Sequence, residues 1–170
     1  MDLQSPRREL WQTARELPDA VFQAWRKPNR ALSPVAIVAT VDPDGTPHTA
    51  PFGSLRAITP RVLRLCSLRA HATYANLCRD GRACVMLLSP DVAVSVCGRA
   101  RVVKEKMDHD ENFAILEIDI AEVKNDMVYR ITIESGIAIR AKERWQPWYA
   151  GALAEVEGMN SSFDESKHSA

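Results

Sequence analysis

The chain has no surplus of charge: 22 Lys and Arg residues balance 22 Asp and Glu, for a formal net charge of zero. A protein that lives on nucleic acid needs a basic excess to neutralise phosphates, so no nucleic-acid partner is expected. An anion as small as a single phosphate needs only a local cluster, which a neutral chain can supply. Long apolar runs are also missing. None reaches the roughly 20 residues of a membrane span, and Met1–Leu10 is charged and polar where a secretory signal needs an apolar stretch. The expectation is a cytoplasmic protein with no membrane contact. The four cysteines, Cys66, Cys78, Cys84 and Cys97, show neither CxxC spacing nor a histidine at zinc-site distance. Lying mostly in apolar runs, they are expected to be reduced core residues, with no metal. There is no Gly-rich loop of the Walker or dinucleotide kind, and no nucleophile–base arrangement that would identify a catalytic residue.

What is present suits one globular domain. The 170 residues are 46% hydrophobic and 26% charged, too short for two ordinary domains but enough for a full core. Residues 7–25 carry apolar side chains at three- and four-residue steps and predict a helix that Pro18 interrupts or restarts. Val35–Val41 is a β-branched strand run, and Asp42-Pro43-Asp44-Gly45 is a turn. Residues 46–58 return as the partner strand, with Pro47 and Pro51 marking an edge or bulges.

Residues 61–67 predict a strand and 70–79 a helix, stopped by Asp80-Gly81. Residues 83–88 and 92–103 predict a hairpin, 105–112 a short polar helix, and 113–124 and 128–140 two last strands. In the final one Tyr129, Ile131 and Ile133 alternate with Arg130, Thr132 and Glu134. Six or seven short antiparallel strands with one helix inserted after the third indicate a closed barrel or a sandwich. The stretch from Glu155 onward is polar and Ser-rich and is expected to fray.

The chemically suggestive segment is the exit from the third strand. Ser67, Arg69, His71 and Thr73 fall in or just before the first turn of the predicted helix. Free N–H groups and the positive end of the helix dipole favour an anion there, and a guanidinium and two hydroxyls would add donors. The plainer alternative is that Ser67 or Thr73 caps the helix and Arg69 is solvated. Elsewhere, His48 reads as a surface histidine of a hairpin. His109, among Asp108, Asp110 and Glu111, reads as part of a solvated acidic run. Trp145 and Trp148 flank Pro147 as aromatic anchors for a C-terminal segment, on the barrel, on a partner subunit or over a cofactor.

From about Ala36 to Ala100 the sequence resembles the pyridoxamine 5′-phosphate oxidase-like, FMN-binding split-barrel family. The likeness rests on the strand-turn-strand from Ile37 to Arg56, on Leu63–Arg82 with its Asn76-Leu77-Cys78-Arg79-Asp80-Gly81-Arg82 ending, and on Val96-Cys97-Gly98-Arg99-Ala100. The resemblance implies a mainly β, six- to seven-stranded antiparallel split β-barrel over 31–142. An N-terminal helical segment (1–30) would precede it and a C-terminal extension with a polar tail (143–170) would follow.

It further implies FMN as cofactor, a homodimer with the cofactor groove at the subunit interface, and a small-molecule electron donor or acceptor. The flavin-contacting strand falls on Pro51, Phe52, Gly53, Ser54, Leu55 and Arg56, and two further contacts fall on Cys66 and Ser67. The family's phosphate-binding Arg-Lys pair falls on Ala72 and Thr73, so Arg69 and His71 would join Thr73 in supplying the phosphate site. A glutamine that the family places near the ring falls close to Ala93. The Arg-Leu-x-Pro ending of true pyridoxamine phosphate oxidases is absent, and that activity is not implied. The implied function is an FMN-binding oxidoreductase passing hydride or electrons between a reduced nicotinamide or deazaflavin and another molecule. The alternatives are a non-enzymatic split-barrel protein holding haem or another small ligand, or a structural dimer without cofactor.

Overall fold

A computed structural model describes residues 11–128 and 130–160. Its frame is one antiparallel sheet of eight strands. These are β1 (Thr13–Ala14), β2 (Ala36–Val41), β3 (Pro47–Phe52), β4 (Arg56–Thr59), β5 (Val62–Leu68), β6 (Arg82–Ser89), β7 (Val92–Lys104) and β8 (Phe113–Asn125). The order across the sheet is β3-β2-β6-β7-β8-β5-β4, with β1 pairing to β8. The sheet wraps one apolar interior, in which Val38, Leu55, Leu63, Leu65, Val85, Val96, Leu116 and Ile118 meet. Helix α1 (Asp19–Trp25) contributes Val21 and a fully buried Trp25 to the same core. This is the split barrel, and β3 and β4 are its two ends.

Local chemistry explains these elements. The β2–β3 turn closes through Gly45 N–H donating to Asp42 O at 2.9 Å and Asp42 N–H to Thr46 O at 2.8 Å. Gly45 has φ +90°, which a side chain would strain. Strand β3 lies at an end of the sheet, where Pro47 and Pro51 remove no ladder bond that matters. Helix α2 (Ala72–Asp80) ends at Gly81, left-handed at φ +76°. The Asn76 amide docks α2 on the β2–β3 hairpin, donating to Thr40 Oγ1 at 3.1 Å and Asp42 Oδ1 at 2.7 Å.

Several expectations need correction. The return strand 46–58 is two strands, because the chain turns at Gly53-Ser54 before β4. The helix expected over 7–25 is confined to Asp19–Trp25, since Pro18 starts it and Thr13–Ala14 instead pairs with Lys124 and Val123; residues 7–10 lie outside the described residues. Residues 105–112 form turns rather than a helix. Asp110 there binds the Asn112 backbone through its side chain, a local bond that competes with helix.

The strand expected over 128–140 is not formed. Among the described residues the segment forms no ladder and bonds the barrel at points such as Val35 N–H to Ile137 O at 2.9 Å; Tyr129 lies outside the described residues. Only Cys66 is a core cysteine; Cys78 and Cys97 are exposed and Cys84 is half-buried, because they face outward from α2, β7 and β6. Helix α3 (Gln146–Gly158) was not expected, and it takes in the start of the stretch that was to fray; residues beyond 160 lie outside the described residues.

Helix α3 begins with Pro147 in its first turn and buries Ala152, Leu153 and Val156, an i, i+1, i+4 stripe. It packs outside the barrel with Cys66, Met107 and Ile115. Its last turn is gripped by Arg64, which has no exposed surface. Arg64 Nη1 donates to Val156 O at 2.9 Å and Met159 O at 2.8 Å, while its Nε and Nη2 donate to Glu117 Oε1 at 2.9 and 2.6 Å. Arg64 and Glu117 are register partners on β5 and β8. Removing one member of such a buried pair typically costs about 3–5 kcal/mol. Glu117→Ala should therefore lower the unfolding free energy in urea by about that amount; a loss under about 0.5 kcal/mol would show the pair to be dispensable.

Candidate functional site

Between the two ends of the sheet the barrel opens into a cavity of about 540 Å³. Ala50, Pro51 and Phe52 of β3 form one wall, and Gly53 and Ser54 of the following turn carry it on. Cys66, Ser67 and Leu68 from the end of β5, with His71 before α2, form a second wall. Ile137 and Ile139 of the C-terminal segment and Trp148, Tyr149, Ala152 and Leu153 of α3 cover it. The volume lies in the range of roughly 300–1,000 Å³ usual for small-molecule sites, and the mix of apolar walls with a few polar groups is also usual there.

The walls are held by identifiable bonds. Ser54 bridges them: its hydroxyl donates to Cys66 O at 3.1 Å and accepts from Cys66 N–H at 3.2 Å. Burial pushes the Cys66 thiol up, against the opposing effects of the Ser54 hydrogen bond and the Arg56 charge, so this sulfur stays a neutral packing group. Gly53 is closely surrounded. A Cβ there would lie 2.8 Å from Ile139 Cδ1 and 3.1 Å from the Leu32 carbonyl oxygen. Behind Gly53 sits Lys27, 3% exposed, whose Nζ donates to Gly53 O at 2.7 Å and Leu32 O at 3.1 Å.

The cover is fastened as firmly. Arg56, 1% exposed, donates to Glu157 Oε1 at 2.7 Å and to Ala31 O at 2.6 Å. The Trp148 indole donates to Asp110 Oδ2 at 3.0 Å. The Asn112 backbone N–H and then this indole hold the Asp110 carboxyl below its usual range. Burial works against the Glu155 carboxylate. Lys104 Nζ at 2.8 Å and the N–H groups of Asp108 and His109 outweigh it and keep Glu155 ionised below its ordinary value. His109 is thus packed beside α3. Among the described residues no group of His, Cys, Asp and Glu side chains could hold a metal.

Seven of the residues singled out from sequence, Pro51, Phe52, Gly53, Ser54, Cys66, Ser67 and His71, come together around this cavity. Leu55, Arg56, Arg69 and Thr73 do not line it. Leu55 turns into the barrel core and Arg56 into the contact with α3. Arg69 lies on the surface, its backbone N–H bonded to Asn112 O at 2.8 Å. Thr73 is fully buried, and its hydroxyl has no hydrogen-bond partner. His71 precedes α2 with extended backbone, and no side chain caps the helix. The capping role considered for Ser67 or Thr73 is therefore not filled, and the first turn of α2 keeps its N–H groups free of side-chain partners. His48 lies near His71, their ring centroids 6.4 Å apart.

Lys27 was not expected from the sequence, nor was the cover from Ile137, Ile139 and Leu153. For α3 the run of Ala, Leu and Glu after Trp-Gln-Pro was the available signal. For Lys27 there was none, since a lysine that folds back on two carbonyls looks like any other.

The architecture and this opening define a split-barrel protein. The family described as pyridoxamine 5′-phosphate oxidase matches residues 24–138, and the chain belongs to it. Among solved structures, a pyridoxamine 5′-phosphate oxidase candidate from Lactobacillus delbrueckii is 22% identical, with a TM-score of 0.54 over 66% of this chain and 98% of that one. An FMN-binding protein from Syntrophomonas wolfei subsp. wolfei is 17% identical, with a TM-score of 0.51 over 65% of this chain and 89% of that one. At these identities the likeness shows the fold. No curated protein matches the sequence significantly. No helix among the described residues is long and apolar enough to cross a membrane.

Desolvation, and secondarily the charge of Arg56, lowers Lys27 from 10.5 to about 7. Between those pH values the unfolded chain holds a proton that the folded one has released, so stability contributed by this site rises with pH across that window and is least below it. Urea unfolding of the wild type and Lys27→Met at several pH values checks this. The wild type should gain stability relative to the variant from about pH 7 toward 10.5; parallel curves would show that Lys27 keeps its proton.

Proposed function

We propose that the protein is an FMN-binding oxidoreductase of the split-barrel class, acting as a homodimer. The observation that carries this reading is the convergence of Pro51–Ser54, Cys66, Ser67 and His71 on one cavity that leads to the uncapped start of α2. The residues present suit the group. Phe52, Leu68, Phe113, Trp148 and Tyr149 offer apolar faces to a planar ring. The free N–H groups of the first turn of α2 and the cavity-lining His71 offer donors for a phosphate where the family's Arg-Lys pair is missing. Bound FMN would supply hydride or single-electron transfer. The chain's own side chains would orient the ring, exclude water through α3, and fix the phosphate end.

The partner in that transfer would be a reduced nicotinamide or deazaflavin. A second opening of about 530 Å³ adjoins the first, sharing Phe113, Trp148 and Tyr149, and adds Trp145 with Arg140, Lys142 and Arg144. Stacking surfaces beside cations suit a planar, anionic molecule. The homodimer is supported by exposed apolar side chains at the mouth of the cavity and near it. Leu68, Ile137, Ile139 and Tyr149 are each at least 36% exposed. A second copy laid over them would bury this surface and close the groove.

The phosphate assignment is tested by comparing FMN with riboflavin, by quenching of flavin fluorescence. FMN should bind the wild type at least ~10-fold more tightly, a difference of about 1.4 kcal/mol. His71→Ala should shrink that ratio by weakening FMN binding more than riboflavin binding. Equal affinities in the wild type would remove the phosphate from α2. Separately, Ile137→Arg should convert a dimer into a monomer in sedimentation velocity and weaken FMN binding; a wild-type protein that sediments as a monomer would contradict the shared groove.

A further inference from the structure

Cys84 on β6 and Cys97 on β7 are direct register partners, and their sulfurs are 3.3 Å apart. Neither lines the cavity, and neither is buried: Cys84 is half-exposed and Cys97 exposed. The pairing class of this position follows from the ladder. Ala100 N–H donates to Gly81 O at 2.7 Å, so the pair 81/100 is a hydrogen-bonded one. Register between β6 and β7 runs unbroken from Arg82/Arg99 to Ser89/Val92. Alternation therefore makes 84/97 a non-hydrogen-bonded pair. Such pairs bring the α-carbons to about 4.5 Å, inside the span of about 4.4–6.8 Å that disulfides bridge. Bond formation asks the sulfurs to close from 3.3 Å to about 2.05 Å, which side-chain rotation can supply.

We propose that Cys84 and Cys97 form a reversible dithiol–disulfide pair on the outer face of the barrel, oxidised by a small-molecule disulfide such as glutathione disulfide. The Cys97 thiolate attacks one sulfur of the oxidant, and a glutathione thiolate leaves. The Cys84 thiolate then attacks Cys97 Sγ in the mixed disulfide, forming the Cys84–Cys97 bond and releasing the second glutathione. The two protein thiols lose two electrons and two protons, and the oxidant gains both to become two thiols. The order of attack follows exposure, since Cys97 is the more accessible sulfur. Burial, and then the neighbouring Cys97, push Cys84 up to about 11, which also makes it the later nucleophile. The bond would staple the β6–β7 hairpin, which stands next to β2 in the sheet and through it supports the cavity strand β3.

The sequence makes the test clean. Cleavage after Lys and Arg puts Cys84 and Cys97 on one peptide, 83–99, while Cys66 and Cys78 fall on two others. The full-length folded protein would be incubated with a glutathione/glutathione disulfide buffer, blocked with iodoacetamide under denaturing conditions, digested and weighed. The expected result is a 83–99 peptide two hydrogens lighter that takes no alkyl group, restored to the dithiol by dithiothreitol. The same light peptide should be lost in Cys97→Ser and Cys84→Ser. Double alkylation of 83–99 at the most oxidising ratio would overturn the proposal. So would a stable glutathione adduct on Cys97 of the wild type, or a link from either residue to a second chain.

Discussion

A guanidinium with no exposed surface must have every donor satisfied, and the way Arg64 meets that demand organises the molecule. One side of the fork is taken by Glu117 across the β5–β8 ladder, at 2.6 Å. Another reaches out of the sheet to the last carbonyls of α3, where a cation also opposes the negative end of the helix dipole. Arg101 completes the set, pairing with the other oxygen of Glu117 and with Asp119. A charge that would be costly alone becomes the joint between barrel wall and C-terminal helix.

The cavity is a consequence of that joint. An antiparallel sheet with ends at β3 and β4 leaves an opening, and an opening without a cover would be a shallow groove. Helix α3, fixed by Arg64 at its last turn, by Arg56 through Glu157 and by Asp110 through Trp148, roofs part of the groove and makes it an apolar cavity with an open mouth. The polar ties, Ser54 to Cys66 and Lys27 to Gly53, hold backbone rather than offer reactive groups to the space. That division, with rigid walls and few side-chain donors, is what a protein that positions a cofactor needs.

Much of this was legible in the sequence. Short apolar runs separated by turn residues mark β2 and β5 to β8, while β3 and β4 read as one strand, and Gly81 and Gly45 stop and turn the chain where their residue type predicts. The cavity walls were readable through the resemblance because they are contiguous stretches, 51–54 and 66–71. What was not readable depends on distant partners. Residues 128–140 alternate like a strand, but alternation shows which side chains share a face and says nothing about a neighbouring strand to bond with. Arg56 looks like a flavin contact on a strand and becomes a tie to Glu157, a hundred residues away in the chain. The Cys84–Cys97 contact depends on hairpin register, which counting from the Pro90-Asp91 turn would have given.

Flavin binding in the cavity is decided by the absorbance spectrum of the purified protein, alone and after addition of FMN and removal of the excess. A flavin site would give a yellow protein with the two visible flavin bands, one FMN per chain, released on denaturation. A protein that stays colourless after FMN addition, or that shows a Soret band instead, would contradict it.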